Sequence, residues 1–197
     1  MAYSVTASQD SCYPDSTVLV NKLGLRDQSA LDRAESVAFA FHSAEIELNP
    51  CNEPFTFDFY RSLHKQLFGD IYEWAGEIRT IDFSKGGTLF CPADELGHLS
   101  EAKFRRLQEM NEFRFLPQND LVEELTDFYN ELNMLHPFRE GNGRTQRLFF
   151  TLLLSRLGYH INFAECDTTA LMAATIYAAQ GVRDFLYSFF ETIICGK

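Results

Sequence analysis

Leu148, Phe149, Phe150, Leu152, Leu153, Leu154 and Leu157 form an apolar run with no wet face. A helix apolar all round is buried, so the rest of the chain must be laid around this one. The twelve residues before it are His136-Pro137-Phe138-Arg139-Glu140-Gly141-Asn142-Gly143-Arg144-Thr145-Gln146-Arg147. Two glycines flank an amide there, and glycine adopts backbone conformations closed to residues with a Cβ. Successive N–H groups can then converge on one anion. The apolar helix should start near Asn142 or Gly143, which turns its positive end toward the same anion. Arg144 and Arg147 are three apart and so share a helix face from which both can reach phosphates. Glu140 suits Mg²⁺, which takes one or two protein carboxylates and completes its shell with phosphate oxygens and water. His136 is the base of the stretch, with an ordinary pKa close to neutral. The residues alone specify a phosphate site with a base beside it and leave the reaction open.

Composition narrows the classes. A chain of 197 residues with 46% hydrophobic and 23% charged residues can bury one sizeable core. The net charge of −11 disfavours nucleic acid and anionic membrane as partners and requires the phosphate site to be locally basic. Cys12, Cys51, Cys91, Cys166 and Cys195 are odd in number and lack a Cys-x-x-Cys pair, so they read as free thiols in a reducing compartment. No signal-peptide pattern or membrane-length apolar run occurs. The expected location is the cytoplasm, although an effector exported by a non-classical route would show the same signs.

The remaining elements follow in order. Residues 1–16 are polar and are expected to form a flexible arm. A helix should run from Asp27 or Ser29 to Leu48, with Leu31, Ala34, Val37, Ala38, Phe41 and Ala44 as its apolar positions. Thr56 should cap the next helix, which carries Phe57, Tyr60, Leu63, Leu67 and His64. His64 and His42 are read as structural and half-buried or solvent-facing, and His98 and His160 as exposed. Ile81, Phe83, Gly86-Gly87, Leu89 and Cys91 signal a hairpin over about 80–91. Helices are expected over 93–115, 119–135, 167–180 and 182–194. Glu123, Glu124, Asp127 and Glu131 read as the solvated face of the helix that delivers His136. The fold class is mainly α, a single helical bundle with one small β-hairpin.

The stretch 136–147 resembles the signature of the Fic family at every defining position: His-Pro-Phe, a free residue, Asp or Glu, Gly-Asn-Gly-Arg, two free residues, Arg. Phe68-Gly69-Asp70-Ile71-Tyr72-Glu73-Trp74-Ala75-Gly76-Glu77-Ile78-Arg79 is a second match, with a structural part as the turn that props the active-site helix. Residues 13–25 resemble the lead-in of Fic domains of stand-alone bacterial toxins and of translocated Bartonella-type effectors. The resemblance implies a Fic domain over 17–197, in which the hairpin is a flap that docks a target protein by β-addition. It implies an AMP transferase that uses ATP and Mg²⁺. His136 would be the base and Glu140 the metal ligand. Lys85, Gly86, Gly141, Asn142, Gly143, Arg144 and Arg147 would bind the nucleotide. Relatives that transfer phosphate carry lysine at the second motif glycine, so Gly143 favours AMP. UMP or GMP transfer, a nucleotide-binding module without transfer, and a phosphodiesterase are the alternatives. Many relatives carry an inhibitory Ser/Thr-x-x-x-Glu-Gly/Asn helix. Ser43 to Glu47 has that spacing but Leu48 follows, so the element is expected to be missing from this chain; either a small antitoxin-like partner supplies it or the enzyme is constitutively active.

Overall fold

The computed structural model describes residues 11–49, 52–85, 88–163 and 165–195, with only the backbone of Lys85 and Cys195. Seven α-helices and one two-stranded hairpin are found among them: α1 (Gln28–Leu48), α2 (Phe57–Phe68), β1 (Ser84–Lys85), β2 (Thr88–Leu89), α3 (Leu96–Glu109), α4 (Gln118–Leu135), α5 (Asn142–Arg156), α6 (Thr168–Ala179) and α7 (Asp184–Cys195). The mainly α class and the single small hairpin are therefore as the sequence indicated. No helix among the described residues is long and apolar enough to cross a membrane.

α5 is the centre. It packs against α1, α2 and α4, while α7 covers α4 and α6. Leu148, Phe149, Phe150, Leu153 and Leu154 are all buried, as a run without a wet face requires. Phe149 and Phe150 meet Phe55, Tyr60, Phe104, Phe128 and Tyr129 at ring distances of 4.8–6.1 Å, mostly edge to face. Such geometry suits the ring quadrupoles and adds to the area buried. The abundance of phenylalanine in the chain is used here.

Local signals set the helix starts. Asp27 caps α1 by accepting from the Ala30 N–H at 2.9 Å, and Thr56 caps α2 through Phe59 at 3.1 Å. Residues 1–10 of the expected arm lie outside the described residues. From Ser11 the chain turns back on itself, with Cys12 bridged to Leu19, and the Arg139 Nε donates to the Ser11 hydroxyl at 2.9 Å.

Three elements differ from expectation. In α1 the apolar stripe is displaced, since Val37 and Phe41 are 70% and 66% exposed while Leu31 and Glu35 are buried. The helix turns its carboxylate inward because a partner waits there. α3 ends at Glu109 instead of about 115, because Asn111, Glu112 and Phe113 take positive φ values of 52°, 54° and 65°. That turn points Glu112 inward, where it meets Arg156 at 3.0 Å, Arg114 at 2.9 Å and the Phe55 N–H at 2.9 Å. The acidic face of α4 is ion-paired as well as solvated: Glu131 meets Lys103, Glu124 meets Arg106, and Glu123 and Asp127 share Arg183.

Candidate active site

His136 is the C-cap of α4, and its backbone is left-handed (φ 46°, ψ 57°). A side chain with a Cβ enters that region at a cost, so the surroundings must hold it. The Phe90 ring stacks on the imidazole at 4.0 Å and 14°. Nδ1 lies 3.3 Å from the Asn133 carbonyl. A carbonyl only accepts, so Nδ1 carries the proton and Nε2 is the basic nitrogen of the neutral ring.

Pro137 to Gly141 form the loop into α5, and its shape is fixed by side chains. The Asn142 amide accepts from the Phe138 N–H at 2.8 Å and donates to the Phe138 carbonyl at 2.7 Å. Its side chain is thus a staple of the loop, and the backbone N–H is what it offers a ligand. Gly141 has φ 79°, and a Cβ there would sit 2.5 Å from the Phe68 ring. Both facts demand glycine. Gly141 is the N-cap of α5 and provides no side-chain cap. The N–H groups of the first turn therefore face outward with the positive end of the helix behind them.

The two arginines part company. Arg144 is bound by Glu35 of α1, lies 3.5 Å from Glu140, and has its guanidinium 4.6 Å from the centre of the Phe68 ring. Glu35 also accepts from the Tyr72 hydroxyl. Burial, then the bond to Glu35, pushes the Tyr72 phenol far above its ordinary pKa, so it stays a donor. Arg147 lies beside Gly143, where a Cβ would come 3.3 Å from its Nη1. Arg147 also faces Tyr129, whose phenol burial pushes up to about 12. Glu140 is half-buried and its Oε1 accepts from the Gly141 N–H at 2.8 Å.

Glu35 is the residue that sequence reasoning missed. Its signal was a carboxylate four residues after Leu31 and three before Ala38, on the inward face. His64 was under-read. It is fully buried, accepts at Nδ1 from the Gly76 N–H at 2.8 Å, and donates from Nε2 to the Glu140 carbonyl at 2.9 Å. Its ring stacks on Phe138 at 3.9 Å. Burial lowers its pKa to about 4, which keeps it neutral and able to serve both bonds. His42 is half-buried against Asp70, and His98 and His160 are exposed. Gly86 and the side chain of Lys85 lie outside the described residues. Glu47, which has the spacing of an inhibitory glutamate but is followed by Leu48, is exposed on the last turn of α1.

The Fic/DOC family model matches residues 54–154. That span holds α2, the flap, α4 and the whole of the stretch around His136. The chain belongs to the Fic/DOC family. It is 34% identical over 88% of its length to the protein adenylyltransferase VbhT of Bartonella schoenbuchensis, of which it spans 36%. It is 32% identical over 92% of its length to the probable protein adenylyltransferase Fic of Escherichia coli K12, and covers 90% of that protein. Among solved structures, the ADP-bound N-terminal Fic domain of a Bartonella quintana effector superposes with a TM-score of 0.83 at 26% identity, covering 92% of each chain.

Proposed function

We infer that this Fic domain is a protein adenylyltransferase, which transfers AMP from ATP to a Ser, Thr or Tyr hydroxyl of a target protein and releases pyrophosphate. The observation that carries the reading is an intact family motif whose loop opens onto the uncapped start of α5 beside His136. Its relatives over nearly the whole chain are named protein adenylyltransferases.

In this reading the target hydroxyl meets Nε2 of His136, the nitrogen left basic by the Nδ1–Asn133 bond. The hydroxyl oxygen attacks the α-phosphorus, its proton passes to Nε2, and the bond from the α-phosphorus to the bridging oxygen breaks. The open N–H groups at Asn142 and Gly143 stabilise the charge that grows on the phosphate oxygens. Gly141 provides the turn that aims them. Arg144 takes the β-phosphate and Arg147 the γ-phosphate, which leaves the α-phosphate facing His136. Such a site works by placement and fixed charge.

The donor set fits Mg²⁺ in one way. No group of three or more His, Cys, Asp or Glu that would hold a metal occurs among the described residues, and Glu140 stands at the phosphate site. A single carboxylate suits Mg²⁺ held largely by phosphate oxygens. Bound there, the metal would neutralise phosphate charge, and Glu140 would be its protein ligand.

The flap supplies the docking edge. Among the described residues β1 and β2 pair with each other alone, so an outer edge is left for an extended target segment. By the family resemblance, Lys85 and Gly86 would approach the nucleotide. An antitoxin-like helix would supply a glutamate to Arg147. In support, Glu35 of α1 is engaged with Arg144, and Glu47 is exposed. The reading places the enzyme in a reducing compartment that holds ATP, in keeping with the thiols of Cys12, Cys91 and Cys166.

Intact-mass spectrometry tests the reading. Purified protein incubated with ATP, Mg²⁺ and cell lysate should add an AMP-sized mass to itself or to a lysate protein, and His136→Ala should abolish the gain while ATP binding persists. A phosphate-sized gain would replace AMP transfer with kinase chemistry. Loss of ATP binding in the variant would overturn the role of His136.

A further inference from the structure

The geometry points to Arg79 as the positioning residue that locks the flap and His136 into one rigid unit. It deepens the proposed function, on which it rests for the roles of the histidine and the flap. Arg79 is 4% exposed, and its guanidinium bonds to four backbone carbonyls. Nε donates to His136 at 2.8 Å. Nη2 donates to Leu135 at 3.3 Å and to Cys91 at 2.5 Å, and Nη1 to Ile81 at 2.6 Å. Leu135 and His136 are the end of α4, where the last carbonyls lack partners within the helix. Ile81 and Cys91 are the two feet of the flap, one on the outgoing side and one on the return. A single planar fork therefore ties both feet to the base's own peptide.

Only arginine has the donors for this. Its guanidinium carries five N–H groups in a fixed plane, while a lysine ammonium is a point charge with three. A buried guanidinium that serves only carbonyls is costly, and burial lowers its pKa. The fork replaces the water it has lost and holds His136 in its left-handed backbone.

Further contacts make the connection stiff. The backbone N–H of Arg79 donates to Pro137 at 2.8 Å, and that of Cys91 to Met134 at 2.9 Å. The Phe83 ring meets both Arg79 and Arg139, each guanidinium 5.1 Å from its centre. Phe90, which stacks on the His136 ring, is bonded through its N–H to the Phe83 carbonyl at 3.1 Å. A target strand laid on the flap thus shares one frame with the nitrogen that must meet its hydroxyl. A small tilt of either is felt by the other.

The test uses Arg79→Lys in the full chain, first without nucleotide. Amide hydrogen exchange at Phe90 and Cys91 should rise at least tenfold above any rise at Phe149 and Leu153 of α5. The His136 ring resonance, assigned by its loss in His136→Ala, should move. With ATP and the acceptor from the mass experiment, kcat should fall at least tenfold while KM for ATP stays within about twofold. Exchange that rises equally in flap and core, or an unmoved His136 resonance, would reduce Arg79 to a structural residue and overturn the proposal. If Arg79→Lys fails to fold, the Arg79 Nε–H of the wild-type protein decides: strong protection from exchange supports the clamp, and rapid exchange overturns it. Phe90→Leu separates the two connections, since it should move the His136 resonance and leave the Cys91 amide protected. Failure of the mass experiment alone would cancel the transfer reading, and the exchange and resonance results would still judge the clamp.

Discussion

Glu35 is a carboxylate on the buried face of a helix, and such a group persists only where a charge meets it. Arg144 meets it from α5 and Tyr72 donates from the turn after α2. Its cost and its use are the same fact, because the bond fixes a guanidinium at the phosphate site. Removing one member of a buried pair leaves the other uncompensated, so Glu35→Ala should destabilise the fold by about 3 kcal/mol in urea titration. Tyr72→Phe removes one hydroxyl and should cost about 1 kcal/mol. Glu35→Ala should also raise KM for ATP, since Arg144 then swings on Glu140 alone. A loss below that of Tyr72→Phe would mean that Glu35 is not what orders Arg144. The stripe expected from Val37 and Phe41 followed hydrophobicity, and hydrophobicity has no term for a carboxylate with a partner 109 residues away.

At the scale of elements, α5 depends on where it begins. Gly141 sets the start with its left-handed φ and its contact with Phe68. Gly141→Ala adds a left-handed penalty and an overpacked methyl, which together should cost about 2–4 kcal/mol. The melting temperature should drop by several degrees, and any variant that still folds should bind ATP more weakly. A change in melting temperature within error would show that Phe68 yields freely and that the close approach is unimportant. This position was legible because its cause is local: a glycine before an apolar run marks a helix start. The same holds for Thr56 as a cap, for the start of α1 near Asp27 and for the spans of α4, α5, α6 and α7. The end of α3 was not legible. Glu112 turns back to reach Arg156, and nothing between residues 109 and 115 announces a partner on another helix. Nor was the pairing of the acidic face of α4, whose cations lie on α3 and in the turn before α7. Local signals gave the elements and the motif loop, while ion pairs across elements decided the inward faces.

For the whole molecule, His64 joins parts that are far apart in the chain. Its ring lies between α2, the turn at Gly76 and the loop at Glu140, and rests on Phe138 in the core. A proton on Nδ1 would break the bond from Gly76 and place a charge among aromatic rings near Arg144. That is why burial, and to a lesser degree Arg144, holds its pKa at about 4. The unfolded chain binds this proton near pH 6.5. Between about pH 6.5 and 4 the unfolded state therefore carries more protons than the folded one, and stability falls as pH falls. The full loss from this one group is on the order of 3 kcal/mol, complete near pH 4 and absent above pH 7. Urea titrations at intervals from pH 7 to 4.5 should show that slope in the wild-type protein. In His64→Gln the curve should start lower at pH 7 and be flatter by the histidine's share, because the other titrating groups are common to both. Parallel curves would place the acid sensitivity elsewhere, in carboxylates held low such as Glu112, and would mean that the core admits a charged imidazole.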